Sequence, residues 1–183
     1  MRLFLGVWLS PEQRREAETL LRNLRRSYPE WKWTSPANLH ITLKFLGEVS
    51  PERLELMKHS FAACAEPMER FQIRLGGLGT FPERGIPSVF WVGLLMGGNQ
   101  LQQQVALIEK AGEQIGFAPE KRPFQPHLTL ARSRPGVAAA KPELEYTFRS
   151  DTAVDSFALI ESRRMPSGPI YQTLAEFPFG NIH

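Results

Sequence analysis

An α+β fold made of two copies of one unit, related by a pseudo-twofold, is what this chain of 183 residues predicts. Three observations carry the prediction. His40-Ile41-Thr42-Leu43 returns as His127-Leu128-Thr129-Leu130, 87 residues later (127 − 40). Phe71-Gln72-Ile73-Arg74-Leu75 is echoed 86 residues on (157 − 71) by Phe157-Ala158-Leu159-Ile160-Glu161. A Pro/Gly loop and an aromatic strand start follow each echo, at Trp91-Val92-Gly93-Leu94 and at Tyr171-Gln172-Thr173-Leu174. Segments with helix-start signals alternate with strand-like runs in both halves. If the copies pair about a twofold, equivalent strands meet across a central cleft and the two motifs face one another. The chain then forms one domain of two lobes, roughly 1–95 and 96–183.

The elements follow in order. Arg2 to Leu9 is an apolar run that reads as a core strand. It resembles the start of a signal peptide, but it is too short and the charge cluster Glu12 to Arg26 follows at once. Ser10-Pro11-Glu12 supplies an N-cap, a proline at the first helical position and an acid in the first turn, opening a helix to about Arg26. Ala17, Leu20, Leu21 and Leu24 form its apolar stripe. Trp31 to Thr34 is a short strand, Ser35 to Asn38 a turn, and Leu39 to Phe45 the first motif strand. Ser50-Pro51-Glu52 opens a second helix to about Ala65. Phe71 to Leu75 alternates as a strand, Gly76 to Pro87 is a Gly/Pro-rich loop, and Ser88 to Leu95 a strong strand. A third helix follows Gly97-Gly98-Asn99 and ends near Gly116. Phe124 to Ala131 carries the second motif, 132–142 is a loop, and strands are expected at Tyr146 to Phe148, Asp155 to Glu161 and Ile170 to Leu174.

Composition excludes several classes. With 42% hydrophobic and 22% charged residues the chain reads as globular, and no apolar run approaches the roughly 20 residues that span a bilayer. Cys64 is the only cysteine, so no intramolecular disulfide forms and a reducing, cytoplasmic setting is expected. A monomer without membrane contact is the expected state. The 22 basic and 19 acidic residues leave a net charge of +3, which suits an anionic ligand without requiring one.

Chemistry enters through the repeated motif. A strand turns residues i and i+2 to one face, so each copy aims an imidazole and a hydroxyl in one direction: His40 with Thr42, His127 with Thr129. A single H-x-T is more often a core histidine beside a β-branched residue. Two of the four histidines in equivalent places argue for function, because a buried imidazole costs free energy where Val or Leu would not. The other two, His59 and His183, read as a helix-surface residue and a free terminus. Zinc needs three or four Cys, His, Asp or Glu ligands, and no acid or cysteine accompanies either motif. Neither threonine has an orienting acid, which argues against a nucleophile. What remains is two-histidine acid–base chemistry with hydroxyl donors, which suits a cyclic phosphodiester and needs no cofactor.

The chain resembles the two-histidine (2H) phosphoesterase superfamily, and within it most closely the RNA 2′,3′-cyclic phosphodiesterases, also called 2′-5′ RNA ligases. The resemblance spans nearly the whole chain: Arg2-Leu3-Phe4, Trp33-Thr34, Asn38 to Gly47, Phe81-Pro82, Arg122 to Arg132, and Tyr171 to Phe177. It implies a bilobal α+β fold, with antiparallel sheets lining a central cleft and helices packed outside. It implies hydrolysis of an RNA 2′,3′-cyclic phosphate end, on tRNA fragments or oligonucleotides, to a 2′-phosphate, with ligation as the possible reverse. His40, Thr42, His127 and Thr129 carry over as catalytic residues, the first histidine as proton donor and the second as acceptor. From the residues alone the two copies are equivalent and the roles interchangeable. A phosphate-binding module without turnover is the alternative reading.

Four further residues are candidate substrate contacts. Lys44 shares parity with His40 and Thr42 and should point to the cleft, unless it is a solvated strand-end lysine. The resemblance favours Arg132 as a phosphate contact. Alternation opposes this, since 127, 129 and 131 share a face, so Arg132 arrives only if the strand ends or bulges after Leu130. Arg122, with Lys121, either guides a phosphate backbone or is a solvated charge pair. Phe81 either stacks on a terminal base or folds back on the core. Trp31 and Trp33 face the same way, at least one into the core.

Overall fold

The structure is a computed structural model that describes residues 1–140, 142, 145–166 and 168–180. Strand β1 (Arg2–Trp8) leads to helix α1 (Pro11–Ser27), the short β2 (Lys32–Trp33), a 3-10 turn at Pro36–Asn38 and β3 (His40–Glu48). A second 3-10 turn, Pro51–Arg53, runs into α2 (Leu54–Ala65), followed by β4 (Phe71–Phe81), β5 (Val89–Met96) and α3 (Gly98–Gln114). Then come β6 (Leu128–Arg132), β7 (Thr152–Val154), β8 (Ser156–Met165) and β9 (Gly168–Pro178).

The strands form one curled antiparallel sheet in the order β7-β4-β5-β6-β3-β1-β8-β9, with β2 on β6. The expected sheets of two lobes are therefore continuous. They join where β3 meets β6, through the single pair Ile41↔Leu128. Those residues are 87 apart (128 − 41), the motif offset, so the pairing is symmetric about its own centre. Helices α1 and α3 carry the same offset at both ends (98 − 11 and 114 − 27), and β1 and β5 flank the central pair from either side. Each side of the sheet draws strands from both halves of the chain. Trp91 on β5 thus matches Phe4 on β1 (91 − 4 = 87), whereas Tyr171 lies on the edge strand β9; the expected match of Trp91 with Tyr171 fails because pairing, not local pattern, sets a strand's place.

Local chemistry explains most elements. Ser10 Oγ accepts the Gln13 backbone N–H at 3.2 Å, and Ala17, Leu20, Leu21 and Leu24 are buried, as the α1 stripe predicts. Trp31 is buried and its indole N–H donates to the Ala140 carbonyl at 2.9 Å; Trp33 is half-buried beside Phe90. Two expectations change. The Gly-rich stretch after Leu75 continues β4 to Phe81, because its glycines make room for side chains of β5: a Cβ on Gly79 would overlap the Trp91 indole, and one on Gly76 the Leu95 side chain. The strand expected at Tyr146 to Phe148 reduces to one bridge, Thr147 to Gly76, and β7 was not anticipated. One large apolar cluster joins the helices to the sheet's outer face. A small one (Phe4, Ala158 and Ile160, with Trp8 and Tyr171) lies apart from it, beside the first motif histidine.

Gly79→Ala is expected to destabilise the fold by about 1–3 kcal/mol through overpacking against Trp91. Denaturant unfolding of the variant measures it; an unchanged midpoint would show that the indole moves aside freely.

Candidate active site

Both motif histidines are oriented by the backbone two residues ahead. The 3-10 turn before β3 presents the Asn38 carbonyl, which accepts the His40 Nδ1–H at 2.7 Å. The Gln125 carbonyl, 87 residues further on, accepts the His127 Nδ1–H at 2.8 Å. With the proton fixed on Nδ1, each Nε2 keeps a free lone pair. His40 Nε2 takes the Thr42 hydroxyl proton in a 3.0 Å hydrogen bond.

Aromatic rings wall in both imidazoles. Phe4, Tyr171 and Trp8 lie 4.7, 5.2 and 5.7 Å from His40, centroid to centroid. Phe81 and Trp91 lie 5.1 and 6.3 Å from His127. Burial pushes the His40 pKa down to about 4; the Asn38 carbonyl pulls the other way, and the charges of Arg132 and His127 push it lower still. His127 is lowered by burial first and by Arg132, against the pull of Gln125. Both imidazoles are therefore neutral in the free protein at neutral pH.

The two motif strands carry matching irregularities. Opposite β1, Leu5 pairs with Lys44 and Gly6 with Thr42, so Leu43 is an extra residue in β3. Opposite β5, Phe90 pairs with Ala131 and Trp91 with Thr129, so Leu130 is the extra residue in β6. Each bulge reverses the alternation beyond the motif. In β6 it brings Arg132 to the face of Thr129, the condition the sequence set. In β3 it brings Phe45, 64% exposed, to the corresponding place and turns Lys44 away. Both lie five residues past their histidine (45 − 40 and 132 − 127).

Lys44 is thus not a cleft residue. The bulge sends it to the helix side, where its ammonium contacts Glu109 of α3 at 2.5 Å and the Ala118 carbonyl at 3.0 Å. Glu109 also accepts the Glu120 backbone N–H at 3.2 Å. The pair therefore ties the first motif strand to the irregular connector that leads to His127.

The cleft has a volume of about 710 Å³. His40, Thr42, Thr129 and Arg132 line it, with Arg2, Lys32 and Arg164 adding positive charge and no carboxylate among the lining residues. Phe45 and Tyr171 supply aromatic surface. Phe81 ends β4 half-buried against His127 and Trp91, so its ring supports the imidazole. Arg122 is exposed in the connector and is not among the lining residues; Glu120 accepts its backbone N–H at 3.4 Å. His59 is exposed on α2, and His183 lies outside the described residues. Sequence reasoning missed Phe45, although the motif offset that links it to Arg132 was legible. It had no signal for Tyr171 beside His40, a contact made by the β8–β9 hairpin.

Comparison with known proteins agrees with this geometry. The family described as LigT like Phosphoesterase matches residues 7–91 and 96–171. The chain belongs to that family. It is 35% identical to the RNA 2′,3′-cyclic phosphodiesterase of Thermus thermophilus, over its whole length and 92% of that relative. It is 34% identical to the protein of the same name from Geobacillus stearothermophilus, over 96% of this chain but only 56% of that longer relative. A crystal structure of a Thermus thermophilus protein superposes with a TM-score of 0.86 at 31% identity, covering all of both chains. Escherichia coli LigT complexed with 3′-AMP superposes at 0.80 and 27% identity, covering 98% of each. Like other family members the protein is a hydrolase, a phosphoesterase. No helix among the described residues is long and apolar enough to cross a membrane.

Lys44→Met strands the Glu109 carboxylate and is expected to cost about 3 kcal/mol, whereas Lys44→Met with Glu109→Met returns most of that stability; thermal unfolding of the two variants tests the pair. His40 gives a second expectation. Its folded pKa of about 4 lies below that of the unfolded chain, so the unfolded state binds the extra proton between them. The stability this represents is present at neutral pH and is lost as pH falls from about 6.5 towards 4. His40→Gln should flatten that slope in unfolding measured across pH.

Proposed function

We propose that this phosphoesterase hydrolyses RNA 2′,3′-cyclic phosphate ends to 2′-phosphates by metal-independent acid–base catalysis. The observation that carries the reading is a pair of neutral imidazoles, each with Nδ1–H bonded to a backbone carbonyl so that Nε2 is the basic nitrogen, that of His40 held by the Thr42 hydroxyl, beside a cationic cleft with no carboxylate among its lining residues. The names of the curated relatives and the 3′-AMP complex of E. coli LigT support the substrate class.

The cyclic phosphodiester is a monoanion. Thr42 and Thr129 donate to its non-bridging oxygens, and Arg132 balances their charge. The bound anion offsets the field of Arg132 and raises the proton affinity of both imidazoles, against the larger effect of burial. The neutral histidine takes a proton from water as its oxygen bonds to phosphorus. The protonated one gives its proton to the 3′-oxygen as the bond from phosphorus to that oxygen breaks. One imidazole serves as acid and the other as base, and the matched geometry of the two motifs lets either take either role. The same groups run 2′-5′ ligation when the 5′-hydroxyl of a second RNA takes the place of water, its oxygen bonding to phosphorus as the bond to the 3′-oxygen breaks. The monomeric state and a cytoplasmic location belong to the same proposal.

His40→Ala and His127→Ala are each expected to lower kcat by about 10²–10⁴-fold with the fold intact, and excess EDTA to leave the rate unchanged. Turnover of a short RNA with a 2′,3′-cyclic end, with the product resolved as 2′- or 3′-phosphate, tests all three. Full activity in either variant would overturn the mechanism, and a 3′-phosphate product would overturn the assigned leaving oxygen.

A further inference from the structure

The cleft's positive charge does not stop at its mouth. Lys32 of β2 and Arg132 of β6 both line it and are direct cross-strand partners. Like charges opposite one another are destabilising in a sheet. Arg25 continues the charge outward: its guanidinium donates to the carbonyl of Thr34, a cleft-lining residue, at 3.0 Å. Arg22 and Arg26 stand three residues before it and one after, exposed on the same face of α1. Among the described residues, Arg22, Arg26, Lys32 and Arg132 form no ion pair. Glu30, two residues before Lys32, is engaged with the Ala140 backbone N–H at 3.2 Å, and Glu18, one turn before Arg22 on α1, forms no ion pair with it.

The opposite rim is different. Arg2 stands across from Glu48 in the β1–β3 register, and Arg163 is bound to Glu161 at 2.8 Å. Arg2 and Arg164 line the cleft on that side and form no ion pair among the described residues. The β2–α1 side differs in extent: five cations, Arg132, Lys32, Arg25, Arg26 and Arg22, lead away from the cleft. The helix dipole favours Arg25 and Arg26, in the last turn of α1, and Glu18 one turn earlier favours Arg22, but neither gives a reason for Lys32 opposite Arg132. One phosphate at the catalytic centre needs one compensating cation. A row of cations leading away from it fits further phosphates at intervals along a strand.

We infer that the nucleotides preceding the cyclic end leave the cleft over β2 and along the C-terminal turns of α1, their backbone phosphates held by Lys32, Arg25, Arg26 and Arg22. This rests on the phosphodiesterase reading for the identity of the reacting end, and it adds that the preferred substrate is an oligonucleotide rather than a cyclic mononucleotide. The contact is to phosphates and is indifferent to sequence.

The test compares the wild type with Arg22→Glu/Arg26→Glu, two exposed positions outside the cleft. Binding of a fluorescently labelled RNA decamer with a 2′,3′-cyclic end is followed by anisotropy in the His127→Ala background, and turnover of the decamer and of 2′,3′-cyclic AMP in the active protein. The double variant should weaken decamer binding at least tenfold at low salt and lower the slope of log affinity against log salt by roughly 1.4, two contacts at about 0.7 each. Its kcat and KM for cyclic AMP should stay within twofold of wild type. Unchanged decamer affinity overturns the inference, as does an equal loss on both substrates. If the wild type turns over neither substrate, the phosphodiesterase reading fails, and the anisotropy series still decides whether the strip binds RNA.

Discussion

Everything at the site depends on one backbone pairing, Ile41 with Leu128, where β3 and β6 touch. Because its partners are equivalent residues of the two repeats, any contact one motif makes on its own side is available to the other. Antiparallel counting from that pair sets His40 opposite Thr129 and Thr42 opposite His127, so imidazole and hydroxyl alternate across the junction. Beyond it the strands part, and β2 takes over the edge of β6 at Ala131 and Arg132. The parting strands form the floor of the cleft.

The bulges at Leu43 and Leu130 use that symmetry and then break it. Both reverse the side-chain alternation one residue past the threonine, which is more economical than adding a loop. The residue delivered to the cleft is Phe45 in one copy and Arg132 in the other, an apolar plate and a cation. The surroundings of the two histidines thereby differ, aromatic surface on one side and positive charge on the other. The residue displaced from the cleft, Lys44, is held in the protein by Glu109 and the Ala118 carbonyl, a counter-charge and a second acceptor for a buried ammonium.

The imidazoles sit under opposing demands. Aromatic walls and the Arg132 guanidinium hold them neutral, while a carbonyl on each Nδ1–H favours the charged form. On the proposed mechanism an incoming phosphate offsets the push of Arg132 against protonation, while the larger effect of burial remains.

How much was legible follows from these particulars. The H-x-T-L repeat placed His40, Thr42, His127 and Thr129, since a strand's two-residue period is a property of the chain alone. The 87-residue offset foretold the pairing of β3 with β6, and Ser10-Pro11 with its apolar stripe fixed α1. The same period misled at Lys44, because a bulge shows only against the partner strand that passes over it. It misled again in the glycines after Leu75, which read as a loop until Trp91 and Leu95 of β5 lie across them. Tyr171 beside His40 and Lys32 opposite Arg132 bring together residues more than ninety positions apart. Local rules placed the two histidines and two threonines on their strands; register between distant strands decided which of their neighbours face the cleft, because hydrogen-bond pairing across the sheet overrides alternation along it.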